Sequence, residues 1–168
     1  MMMQAIAGVA PIQDREVTVM TVWPSIAGVR LFGMRVGRTL GEFYSIETGI
    51  SVLTIGHLIC LLSIPLALVL YFKRIGPFVA TRYRVTNKRI IVELGMAGKE
   101  GKSIELNRFD TIEIEQTTGD RWFDSGDLVF KKGNVETFRL DGVSRPEAFR
   151  QVCVKSHQAF VGVLAAVG

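Results

Sequence analysis

The chain has 168 residues, 48% of them hydrophobic and 21% charged, with a formal net charge of +4 and a mean hydropathy of +0.29. The length allows one domain of roughly 100–200 residues with an extension. It excludes a TIM barrel or a two-domain enzyme, and the apolar content excludes a disordered chain. The only two cysteines, Cys60 and Cys153, exclude a disulfide scaffold or a Cys-rich zinc site.

The first residues, Met1 to Pro11, lack the cationic start and long apolar stretch of a cleaved signal peptide, so none is expected. From Trp23 to Tyr44, Ser25 can cap a helix in which Arg30, Arg35 and Arg38 cluster on one side. Such a basic amphipathic helix suits the interface of a membrane with anionic headgroups, and the alternative is a short surface helix. The repeat Gly33-x-x-x-Gly37-x-x-x-Gly41 offers a smooth face for close helix packing. Residues 1–47 form this N-terminal segment.

Between Glu47 and Lys73 there is no Asp, Glu, Lys or Arg. A hydrocarbon core about 30 Å thick needs about 20 apolar residues, so residues 48–72 predict a transmembrane helix. Tyr71 and Phe72 at its end, followed by Lys73 and Arg74, resemble an interfacial aromatic belt with snorkelling cations. Six basic residues in 73–92 against three in 28–47 place the C-terminal part in the cytoplasm, as a single-pass protein of the inner membrane. His57, an ionisable side chain in this run, suits helix packing, with ligation of a haem or pigment as the alternative; no cofactor is otherwise implied.

After Pro77 the apolar period becomes two. Strands are expected at 81–85 and 89–94 around Thr86-Asn87-Lys88, a hairpin signal, with a glycine-rich loop over 95–101. Further strands are expected at 103–106, 111–116, 127–131 and 135–140, the last two joined at Lys132-Gly133-Asn134. Asp120, Asp124 and Asp127 read as turn formers and caps, with Trp122 plugging the core. Ser144-Arg145-Pro146-Glu147 has a capping-box pattern opening a helix whose stripe Phe149, Val152, Cys153, Phe160 and Val161 docks on the sheet. Six strands and one C-terminal helix predict a mainly β fold, two antiparallel sheets closed by a helix over residues 77–168.

These residues carry a resemblance. Tyr83-Arg84-Val85-Thr86-Asn87-Lys88-Arg89-Ile90-Ile91, Phe109-Asp110-x-Ile112, Arg121-Trp122-Phe123-x-x-Gly126-x-Leu128 and Leu140-x-Gly142-Val143 with Pro146-Glu147-x-Phe149 resemble the bacterial pleckstrin-homology (PH) domain family over roughly 78–155. The resemblance implies a PH-like antiparallel sandwich or barrel, usually preceded by a membrane segment. By analogy with eukaryotic relatives by fold, it implies anionic headgroup contact at Lys73, Arg74, Arg82, Arg84, Lys88 and Arg89.

Other chemistry is weakly represented. Gly101-Lys102-Ser103 lacks the upstream glycine of a P-loop, Met96 standing there instead, and a strand follows rather than a helix. The aspartates lack the EF-hand pattern, and no nucleophile–base or paired-acid motif is present, so no enzyme is expected. The surplus of positive charge lies in residues 73–89, which hold six basic and no acidic side chains. That belt is too short and too poor in aromatics for nucleic acid. The sequence thus predicts a non-catalytic, membrane-anchored binding or scaffolding module touching anionic lipid. The alternative is an accessory or assembly subunit of a membrane complex, meeting other subunits or its own copies through Gly33, Gly37, Gly41 and His57.

Overall fold

A computed structural model describes residues 16–30, 34–45, 55–75, 81–95 and 97–167; the side chains of 55–60, 73–75 and 166–167 lie outside that description. Among the described residues, seven strands form two antiparallel sheets. The first has the order β1 (Thr18–Val22), β2 (Thr81–Thr86), β3 (Arg89–Leu94), β4 (Lys99–Glu105), and the second β5 (Thr111–Glu115), β6 (Ser125–Lys132), β7 (Val135–Ser144). The described residues also form the helices α1 (Val36–Tyr44), α2 (Ile55–Ile75), α3 (Thr118–Trp122) and α4 (Pro146–Val167), with a 3-10 turn at Ile26–Gly28. The fold is mainly β with helices, the sheets are not closed on one another, and the C-terminal helix is present.

The alternating strand residues supply the core. Tyr83, Val85, Ile90 and Ile104 of the first sheet face Ile112, Leu128, Phe130 and Leu140 of the second, and Phe149 and Cys153 of α4 close the gap. Burial raises the pKa of the Cys153 thiol and makes it an inert apolar group. Pro146 stands at the first position of α4, where its missing N–H costs nothing. Ser144 ends β7 and does not open the helix. His157, at the edge of this core, stacks on Phe109 at 5.0 Å, with Nδ1 2.5 Å from the Leu106 carbonyl.

The β2–β3 turn owes its shape to side chains at its base. Thr86 Oγ1 accepts from the backbone N–H of Arg89 at 2.9 Å and Lys88 at 3.2 Å. Asn87 Oδ1 accepts from Val17 N at 2.9 Å, and Asn87 N donates to Val17 O at 3.1 Å. This turn therefore also fastens the start of β1. β1 pairs with β2 antiparallel, Val22 opposite Tyr83 and Thr21 opposite Arg84.

Four expectations change. The N-terminal segment contributes a strand and a helix to the domain instead of standing apart from it. The loop expected over 95–101 is partly strand, since β4 begins at Lys99. Trp122 is 53% exposed and plugs nothing. The transmembrane helix expected over 48–72 is not found as such: α2 begins at Ile55, and among the described residues no helix is long and apolar enough to cross a membrane. β1 precedes the uncharged run yet hydrogen-bonds to β2, which follows it.

Candidate functional site

Of the six residues expected at a lipid headgroup, Arg82, Arg84 and Arg89 do not form a bare cationic patch. Arg82 and Arg84 alternate on β2 and so reach the same face, where both meet Glu93 of β3, at 3.3 and 2.7 Å; that glutamate is buried. Arg82 also lies over the ring of Trp23, 5.5 Å from its centroid. Arg89 sits between Glu16 at 2.9 Å and Glu100 at 2.6 Å. The Arg89 hydrogen bond holds the Glu16 carboxyl below its ordinary range. Three arginines of the belt thus face three glutamates. Lys88 lies in the turn beside them, and the side chains of Lys73 and Arg74 lie outside the described residues.

A second constellation, which sequence reading missed, joins the N-terminal segment to the second sheet. Arg35 and Arg38 of the α1 region face Asp120 of α3 and Asp127 of β6. Arg35 reaches Asp127 at 2.5 Å and also pairs with Asp141, while Arg38 reaches Asp120 at 2.9 Å and Asp127 at 3.1 Å. Arg30 meets Asp141 at 2.9 Å. Asp127 also accepts from the Gly142 N–H at 2.8 Å. Burial pushes the Asp127 carboxyl upward, but the bonds from Arg35 and Gly142 with the charges of Arg35 and Arg38 outweigh it, and the pKa is lowered. Desolvation of Arg38 is likewise outweighed by Asp120 and Asp127, which hold it charged. The arginine side of α1, expected at a membrane interface, is spent on these partners.

The glycine face is used inside the chain too. A Cβ on Gly37 would sit 1.9 Å from the Ile26 carbonyl oxygen, and one on Gly119 would sit 2.1 Å from that of Arg38. Only glycine at these positions lets α1 lie directly on the 3-10 turn and on α3. Gly41 packs on Gly119 in the same seam, while Gly33 and the side chain of His57 fall outside the described residues.

Beside that seam lies the most apolar surface described. On α2, Ser63, Ala67 and Leu70 recur at helical spacing on the covered side, and the Ser63 hydroxyl bonds the Tyr44 phenol. Leu61, Leu62, Ile64, Leu66, Leu68, Val69, Tyr71 and Phe72 are all exposed, from 38 to 77%. A helix apolar on every side fits full burial rather than water. The Tyr44 ring stands edge-on to Trp122 at 5.9 Å and to Phe123 at 6.5 Å, and Phe43 and Trp122 are half exposed next to it.

A cleft of about 410 Å³ opens between the first sheet and β7, lined among others by Tyr83, Leu94, Lys102 and Arg139. Arg139, at its wall, is bonded to Glu136 and Glu115 at 2.9 and 2.8 Å, which raise its pKa. The Tyr83 hydroxyl donates to the Asp141 carbonyl at 2.7 Å, and burial raises its pKa. Among the described residues no group of His, Cys, Asp or Glu is placed to hold a metal ion.

The model of a family described as "Bacterial PH domain" matches residues 29–157, which takes in α1 and α2 as well as the two sheets from β2 onward. No curated protein and no solved structure matches the chain.

Proposed function

For a chain that belongs to the bacterial PH domain family, we propose the role of a non-catalytic binding module held at a membrane face by α2. The observation that carries this reading is the outward side of α2, eight exposed apolar or aromatic side chains on a helix whose one polar side chain over residues 61–72 apart from Tyr71, Ser63, is turned inward. Burying that surface in hydrocarbon is favourable by roughly 25 cal/mol per Å². The family is consistent with binding rather than catalysis. Attraction to anionic headgroups is assigned to Lys73 and Arg74, which follow α2's apolar run, at about 1 kcal/mol per cation. Arg82, Arg84 and Arg89 have glutamate partners and serve the fold first. Contact between subunits through the glycine face loses its support, because Gly37 and Gly41 already pack against this chain.

The test is co-sedimentation of the full chain with vesicles of phosphatidylcholine, with and without phosphatidylglycerol. Leu62→Glu with Val69→Glu is expected to abolish binding to both. Lys73→Glu with Arg74→Glu is expected to remove only the gain from phosphatidylglycerol, about fivefold per cation. Vesicle binding that survives the two glutamates on α2 contradicts the reading.

A further inference from the structure

We propose that α2 enters the membrane from one side only, so that the segment before it and the domain after it share one compartment. The inference rests on the membrane reading above and replaces the single-pass layout expected from the uncharged run. Two independent ties carry it. Hydrogen-bonded pairing sets Thr21 opposite Arg84 and Val22 opposite Tyr83, joining a strand before α2 to a strand after it. Neighbouring strands lie about 4.8 Å apart, so no bilayer can separate them. On the other flank of the domain, Arg35 and Arg38 are ion-paired to Asp120 and Asp127, again residues from before and after the helix. Both ends of α2 therefore return to one folded body.

The helix itself lies along that body, with Ser63, Ala67 and Leu70 turned inward and Ser63 bonded to Tyr44. The occupant of its outer side is the acyl region of a single leaflet. No outward side chain over residues 61–70 bears a charge or a hydrogen-bonding group with which a protein partner could fix a register. Two exposed aromatics stand with it, Tyr71 on α2 itself and Trp122, which meets the Tyr44 ring that bonds Ser63; such residues settle at the boundary of headgroup and hydrocarbon. Lys73 and Arg74 follow in sequence at the end of the apolar run, where anionic headgroups would complement them.

The experiment uses the full chain in a Cys60→Ser background, Cys153 being buried. One reporter is Val19→Cys in β1, with Thr21→Cys as its replacement if that variant does not fold; the other is Asn134→Cys between β6 and β7. All three sites are exposed. A membrane-impermeant maleimide is applied to sealed right-side-out and to sealed inside-out vesicles of the expression host. Both reporters are expected to label in the same preparation and to lose their label in the other. Labelling of the two in opposite preparations overturns the one-sided insertion while leaving membrane attachment standing. Recovery of the chain in the supernatant as a dimer or larger oligomer overturns both, with a second copy covering α2.

Discussion

Asp127 is where the N-terminal segment and the sheets meet. Its two oxygens accept from Arg35, Arg38, Arg139 and the Gly142 backbone, at 2.5 to 3.4 Å. Asp127→Asn keeps the shape but removes the charge from a site 1% exposed. Breaking a buried pair while its cations remain costs about 3 kcal/mol, read as a lower urea midpoint with an unchanged slope. The pH dependence has a definite sign. The folded carboxyl titrates below its ordinary 3.8, so its contribution is complete above 3.8 and is lost as the pH falls through the lower folded value. The gap between wild type and Asp127→Asn is expected to close below pH 3.8. In the local pattern Asp120 and Asp127 look like turn formers, as Asp124 does, because the arginines that pair with them stand 82 to 92 residues away. Local pattern contains no sign of a partner at that distance. Thr117 caps α3 with Asp120 as the reciprocal member of the capping box, and Asp124 takes a left-handed conformation just after that helix, so both fit the expected role of cap and turn former.

At the scale of elements, the close seam between α1 and α3 governs how the N-terminal segment docks. Gly37→Ala would drive a methyl to 1.9 Å from the Ile26 carbonyl oxygen, a backbone atom that cannot swing away. Overpacking of this kind costs about 1–3 kcal/mol. Gly162→Ala, on α4 with nothing within 4 Å, is expected to stabilise by up to about 1 kcal/mol through helix propensity. Thermal unfolding of the two variants separates contact from propensity. The glycine spacing at 37 and 41 suggested a smooth face for close helix packing. It could not say whose backbone, and the answer is Gly119 and Ile26 of the same chain. The strands from β2 to β7 were legible from the period-two apolar pattern of their sequences, cleanest in β5, where Ile112 is buried between exposed Thr111 and Glu113. β1 was not, because as a sheet edge it is exposed at three of its five positions and only partly covered at the other two, and shows no buried face. For the same reason the first residues of β4, Lys99 to Gly101, looked like loop.

Over the whole molecule, the charge and hydropathy totals hid their own resolution. The six cations of residues 73–89 suggested an open basic surface, yet Glu16, Glu93 and Glu100 come from before and after that stretch to meet three of them. The uncharged run predicted a transmembrane helix, and the helix found there, α2, begins at Ile55 and leaves eight apolar or aromatic side chains exposed over residues 61–72. Its placement depended on flanking strands that pair across it, which hydropathy along a chain does not reveal. The central claim is that the exposed side of α2, with the aromatic residues beside it, sits in lipid. The chain has two tryptophans, so Trp23→Phe leaves Trp122 as the single reporter at the rim of that surface. Its fluorescence is measured with the full chain bound to phosphatidylcholine vesicles whose acyl chains carry bromine. The account predicts a blue-shifted emission quenched by the brominated lipid; vesicle-bound protein whose Trp122 emission stays unshifted and unquenched would contradict it.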